Sequence, residues 1–237
     1  MPVSIRWFPP SWLLIKAGGE VIYIDPAWVQ KNFEHYPKKV IYSHYPEPMD
    51  GLPEADLPIA DIILVTHHHQ DHVKTATLAR LAGDGTRIFA PPACAGLVGK
   101  PFTPIGPGSE YDVTGIKIRA VHACNTPQGN STRKVHHRGE CVGYLLTAGG
   151  KTLYHAGDTD LIPEMGALGS VDAAFLPIGG TFTMDVREAA QAVAVIRPKI
   201  AVPMHYLKAS AQEFRQLVET GTEAEAVALE TGGTIEL

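Results

Sequence analysis

Cysteine is scarce in this chain: 237 residues carry three, Cys94, Cys124 and Cys141. An odd, widely spaced set with no C-x-x-C pair excludes a disulfide framework and fits buried thiols in a reducing cytoplasm. Long apolar runs are missing too. No stretch approaches the roughly 18 apolar residues that a membrane span needs, and the amino terminus shows neither the basic region nor the apolar stretch of a signal peptide. Positive charge is not in excess. Twenty Lys and Arg against 25 Asp and Glu give a formal charge of −5, so composition implies no nucleic-acid partner. No period of about 20–50 residues recurs, which argues against repeat architectures. What remains, 45% apolar and 19% charged, is ordinary globular composition in a chain long enough to bury a core without staples.

The pattern along the chain reads as two consecutive blocks of strands and helices. Residues 12–17 and 21–25 flank Gly18-Gly19, and residues 142–147 and 151–155 flank Gly149-Gly150. Both are hairpin signals. Further strands are expected over 61–65, 86–90, 116–121, 171–177, 200–203 and 226–229, with the second block beginning near Cys141. Helices are expected over 72–82, stopped by Gly83, and over 185–196 and 214–219. Asp185 with Glu188, and Ser210 with Glu213, have capping-box spacing, and Gly221 closes the last helix. The segment Pro26–Pro58, rich in Pro, Tyr and charge, reads as a long loop of the kind that is usually functional or mobile. Two packed sheets with helices outside them follow from this order, in a single domain over 1–237.

The densest chemistry is Thr66-His67-His68-His69-Gln70-Asp71-His72, directly after the apolar run Ile59–Val65. Three imidazoles and a carboxylate in the order H-x-H-x-D-H at a strand end are half of a two-metal site, and these ligands suit Zn, Mn, Fe or Ni. The other half should also lie just past strand ends, since only such positions converge on one sheet edge. His122 after 116–121, Asp158 after 151–155 and His205 after 200–203 meet that condition. One cation is therefore expected on His67, His69 and His122, and a second on Asp71, His72 and His205. Asp158 would lie between them, because a carboxylate has two oxygens. His68 should point away. His155 is expected to be a buried histidine bonded to backbone, and His35 and His44 to be solvated. Asp25 is either a partner behind a ligand histidine or an ordinary strand-end residue.

This ordered set resembles the metallo-β-lactamase superfamily, and within it the small metal-dependent hydrolases of the lactonase-like branch (UPF0173-like). Tyr154-His155-Ala156-Gly157-Asp158-Thr159-Asp160, the stretch Leu176–Asp185 and Val202-Pro203-Met204-His205-Tyr206 carry the resemblance beyond the ligands. It covers most of the chain and implies an α/β fold, the four-layer αββα sandwich, with the site at one edge of two sheets. Trp7-Phe8-Pro9-Pro10-Ser11 stands where related sequences have an early Gly-His pair, and the Pro26–Pro58 loop is longer than usual.

The ligand set has no cysteine, so it is harder than that of true β-lactamases. Two divalent ions, zinc first and Mn, Fe or Ni as alternatives, would lower the pKa of a bound water toward neutrality and supply a hydroxide nucleophile. Two dications, two carboxylates and a hydroxide leave about +1, which favours a small anionic or ester-type substrate. Hydrolysis of an ester, lactone or phosphodiester is the expected reaction, with Asp71, Asp158 and His136 as its catalytic groups. His136 lies in the basic segment Gly129–Gly139, which reads as either a solvated loop or a substrate lid in which His136 or His137 donates a proton or binds an anion. His136-His137-Arg138-Gly139 matches a family element and favours His136. Thr181 and Thr183 are not expected to be catalytic. The competing function is a mononuclear-iron dioxygenase acting on a small thiol or persulfide. Trp7, Phe8, Trp12 and the Tyr36–Tyr45 stretch read as either a pocket wall or an interface, which leaves a homo-oligomer open.

Overall fold

A computed structural model describes residues 2–27 and 57–237. Most of the long loop, with His35, His44 and Tyr36–Tyr45, lies outside the described residues. The strands are β1 (Ser4–Phe8), β2 (Trp12–Ala17), β3 (Glu20–Ile24), β4 (Ala60–Leu64), β5 (Ala82–Ala90), β6 (Thr103–Pro104) and β7 (Glu110–Val113). They continue as β8 (Ile116–Ala123), β9 (Cys141–Ala148), β10 (Lys151–His155), β11 (Ala173–Pro177), β12 (Ile200–Met204), β13 (Glu225–Ala226) and β14 (Thr234–Glu236). The α-helices are α1 (Thr75–Leu81), α2 (Ala95–Val98), α3 (Val186–Ile196) and α4 (Ala211–Gly221).

Among the described residues these strands form two seven-stranded sheets, in the orders β14-β1-β2-β3-β4-β5-β6 and β13-β12-β11-β10-β9-β8-β7. Both are mixed: β3 to β6 run parallel, as do β10 to β13, while the hairpin partners run antiparallel. Strand alternation builds the layers. In β2, Leu13 and Ile15 enter the core between the sheets together with Tyr144, Leu146, Phe175 and Val202 of the second sheet. Trp12 and Leu14, one residue out of phase, pack outward with Leu78 and Leu81 of α1. On the opposite outer face, Ala189, Val193 and Ile196 of α3 and Phe214 and Val218 of α4 cover the second sheet. Each fully buried Leu, Ile or Phe contributes about 1.5–3 kcal/mol, so residues on both faces of each strand are needed to hold four layers together. This is the expected αββα sandwich.

The structure departs from the sequence expectations in pairing and in bounds. The second sheet does not begin near Cys141, since β7 and β8 already belong to it, and β14 returns to pair with β1. Helix α1 is shorter than expected because His72 and Val73 sit in the turn before it. The last strand of the second sheet is two residues rather than four. The α3 capping box is half made. Asp185 Oδ1 accepts from Glu188 N at 2.8 Å, but the Glu188 carboxylate turns away to accept from Asn130 N and Leu161 N. All three cysteines are free and buried. Among the described residues no helix is long and apolar enough to cross a membrane.

Candidate metal centre

Parallel strands place their C-terminal ends at one edge of each sheet, and the two edges meet here. Asp25 follows β3, His67 follows β4, Asp158 follows β10 and His205 follows β12. Two bonds tie the sheets together at this edge: Tyr144 Oη donates to Val65 O at 2.7 Å and Val142 N to Thr66 O at 3.0 Å. Gly157 turns the chain from β10 into Asp158. Its φ is +64°, and a Cβ there would stand 2.7 Å from Val142 O, so only glycine fits.

The side chains converge as two donor triads sharing one carboxylate. His67 Nε2 and His136 Nε2 each lie 3.1 Å from His69 Nδ1. On the other side, His205 Nε2 is 3.4 Å from Asp71 Oδ2, and His72 joins this group. Asp158 stands between: its Oδ1 is 3.4 Å from His72 Nε2, and its Oδ2 is 3.4 Å from both His205 Nε2 and His136 Nε2. Donors at about 2.0 Å from a tetrahedral ion are about 3.3 Å apart, so these spacings are the edges of ligand polyhedra.

The groups behind the triads fix which way each ring presents its lone pair. Asp25, fully buried, accepts from Thr66 N at 2.7 Å, Thr66 Oγ1 at 2.7 Å and His72 Nδ1 at 2.6 Å. Since a carboxylate only accepts, His72 Nδ1 carries the proton and Nε2 faces the site. Thr66 gives its one proton to Asp25, so His67 Nδ1 must donate to Thr66 Oγ1 at 2.9 Å. His136 Nδ1 likewise donates to Phe182 O at 3.1 Å. His72 Nε2, His205 Nε2 and Asp158 Oδ1 are buried without any hydrogen-bond partner. Buried polar atoms without partners are costly, and a donor set of imidazoles and carboxylates around them fits a pair of divalent ions.

The beta-lactamase superfamily domain matches residues 4–205 of this sequence. The chain belongs to the metallo-β-lactamase superfamily. Within it the chain is 35% identical over 217 residues to a UPF0173 metal-dependent hydrolase of Pyrococcus abyssi, covering 84% of this chain and 92% of that one. It is 37% identical over 236 residues to a UPF0173 metal-dependent hydrolase of Lysinibacillus sphaericus, covering 92% and 93%. Among solved structures, Igni18, a metallo hydrolase from Ignicoccus hospitalis, superposes with a TM-score of 0.73 at 27% identity over 100% of this chain and 99% of that one.

For this superfamily member the structure brings together His67, His69, Asp71, His72, Asp158 and His205 as expected, and it leaves out His122. His122 is still inside β8, paired with Val142, and it lines a separate cavity of about 360 Å³ with Tyr154 and Glu164. His136 takes its place beside His67 and His69. Nor is His136 a lid group. It is 1% exposed, and both ring nitrogens are committed inward, one to Phe182 O and the other to the triad. The sequence signal that pointed to it was its family element; strand-end placement pointed away. His155 is buried with its Nε2 donating to Ser11 O and its Nδ1 accepting from Gly157 N, the expected backbone-bonded histidine. Asp25 is bonded to His72 and Thr66 behind the site and is not a plain strand-end turn.

The electrostatics divide the site. Burial pushes His67 and His136 below the ordinary histidine value, and burial followed by His136 pushes His69 down to about 4. Burial works the same way on His72, but Asp158, Asp25 and Asp71 outweigh it and hold His72 well above its ordinary value. Asp158 and Asp71 raise His205 likewise. Burial works to raise both carboxyls, yet His72 and His205 hold Asp71 far below the usual carboxylate range, and His205 and His72 do so for Asp158. The Asp71 side of the site therefore favours positive charge, and the His69 side disfavours it.

Proposed function

We propose that the chain is a dinuclear metal-dependent hydrolase that cleaves an ester, lactone or phosphodiester of a small anionic substrate. The observation that carries this reading is Asp158, within 3.4 Å of donors in both triads. His67, His69 and His136 would hold one divalent ion and Asp71, His72 and His205 the other, with Asp158 shared and zinc the first candidate. Such ions supply Lewis acidity and lower the pKa of a water ligand. The chain's own residues do the rest. Asp25 and Thr66 keep the Nε2 lone pairs of His72 and His67 aimed inward. Asp158, buried and held as a carboxylate by His205 and His72, would orient the attacking water by accepting its hydrogen bond. Asp71, whose side chain is 11% exposed, is the carboxylate of the site nearest solvent and would keep positive charge on the His72 and His205 side. With only Asp71 and Asp158 as carboxylates, a site holding two dications would remain positive, which would attract an anionic substrate and stabilise charge developing on the reacting oxygen.

A panel of a phosphodiester, a lactone and a carboxylic ester, each assayed with metal-loaded, chelated and Asp158→Ala protein, tests this directly. Hydrolysis of at least one substrate, lost on chelation and absent in a folded Asp158→Ala chain, is expected. Near-wild-type turnover by a fully metallated Asp158→Ala would refute the role of that residue. Oxygen consumption with a small thiol by an iron-loaded chain, without hydrolysis of the panel, would replace the reaction class.

A further inference from the structure

His136 differs from the other five histidine and aspartate donors grouped with Asp158. They lie in the His67–His72 segment or directly past β12, whereas His136 sits within a loop between β8 and β9. A donor in such a place needs something to hold it. We propose that Asn125, Asp160 and Lys134 form a clasp of positioning residues for His136, so that the cation position of His67, His69 and His136 depends on them and the position of Asp71, His72 and His205 does not. The proposal rests on the two-position reading above.

Asn125 bonds the backbone on both sides of His136. Its Oδ1 accepts from Val135 N and His136 N, each at 2.9 Å, and its own N–H donates to His136 O at 2.8 Å. Asn125 Nδ2 donates to Phe182 O at 2.8 Å, the same carbonyl that accepts from the His136 ring at 3.1 Å. One side chain thus sets the main chain of His136 and steadies the carbonyl that decides which ring nitrogen carries the proton.

Asp160 anchors this arrangement. Its side chain is 0% exposed and accepts from Thr126 N at 2.8 Å, Lys134 Nζ at 3.0 Å and Asn125 Nδ2 at 3.3 Å. Lys134 spends its other donors inside the loop, on Gly129 O at 2.7 Å and Ser131 Oγ at 2.8 Å. The loop lies directly on the carboxylate: a Cβ at Gly129 would stand 2.2 Å from Asp160 Cγ. A buried carboxylate that loses its ammonium partner is strongly disfavoured, so breaking this pair releases the loop. None of the three clasp residues belongs to a donor group. Their effect reaches a cation only through His136.

The test uses the full chain as Asn125→Ala, Lys134→Met and Lys134→Arg. Zinc per chain is measured after dialysis and by titration, and the hyperfine-shifted ring N–H signals are recorded in cobalt-loaded protein. Two cations in the wild type should fall to one in Asn125→Ala and Lys134→Met, with the lost cation weakened at least tenfold. Lys134→Arg should restore it. The His136 Nδ1–H signal should shift or vanish while the His72 signal, fixed by Asp25, stays. Retention of two cations at wild-type affinity, or equal loss of both from a folded chain, overturns the proposal. If Asn125→Ala fails to fold, the Lys134 pair decides by the same results. A wild-type chain holding a single cation refutes the two-position reading and not the clasp, which is then judged by whether the variants move the His136 signal.

Discussion

Asp25→Asn replaces one oxygen with an amide nitrogen behind the site and changes almost nothing else. The φ of 49° at this residue is in the left-handed region, which Asn tolerates, so the backbone is undisturbed. The carboxylate accepts three hydrogen bonds, one on Oδ1 and two on Oδ2. An amide offers one acceptor oxygen. If that oxygen stays on Thr66 N, the NH2 faces His72 Nδ1 and forces the other tautomer, which sends an Nε2 proton into the cation position. If the amide flips, its NH2 faces the Thr66 N–H, donor against donor, at about 1–3 kcal/mol. The first arrangement lets the metal-free chain relax, so the penalty falls on metal binding. Losing the group behind a metal-ligating histidine weakens binding about 10–100-fold, or about 1.4–2.8 kcal/mol. Competition against a chromophoric chelator should therefore show one of two cations weakened by that factor, with little change in the melting of the metal-free chain. Wild-type affinity for both cations in folded Asp25→Asn would refute the tautomer argument.

Three further outcomes are expected. His122→Ala should keep wild-type metal content and turnover, because His122 lies outside both donor triads; loss of one metal, measured by elemental analysis, would reinstate it as a ligand. Gly157→Ala adds a left-handed alanine and a contact at 2.7 Å with Val142 O, together worth about 2–4 kcal/mol. Calorimetry should show melting lowered by at least about 5 °C, and an unchanged melting temperature would contradict the packing argument. Asp172 accepts from Thr152 N and Lys199 Nζ; burial works to raise its carboxyl, but these partners lower it. A carboxyl lowered by folding contributes stability above the unfolded pKa that is lost as pH falls through the folded one. Urea unfolding of Asp172→Ala should thus show a deficit of about 1 kcal/mol at neutral pH that closes below about pH 4, and a deficit independent of pH would refute it.

The layers and most of the residues that converge at the site were legible because their signals are local. Gly18-Gly19 and Gly149-Gly150 marked two hairpins, Asp185 and Ser210 marked helix starts, and H-x-H-x-D-H after an apolar strand marked one half of the site. Pairing was less legible, since alternation says that β8 is half buried and nothing about which sheet it joins. The placement of His122 away from His67 and His69 escaped the sequence for a related reason. Strand-end placement finds donors carried directly by a sheet edge, as in Asp158 and His205, but β8 runs through His122 to Ala123. The histidine that the structure places beside His67 and His69 is instead His136, on a loop bonded to Asn125, a polar arrangement that periodicity does not encode. Glu188 illustrates the same limit, since its capping spacing is correct and its carboxylate serves Asn130 and Leu161 instead.

Metal content per chain, determined by elemental analysis of protein purified without chelator or added metal, bears most directly on the two triads joined by Asp158. About two divalent ions per chain should be found, with one of them lost in His136→Ala and none in His122→Ala. A single iron per chain, unchanged by His136→Ala, would contradict the dinuclear centre.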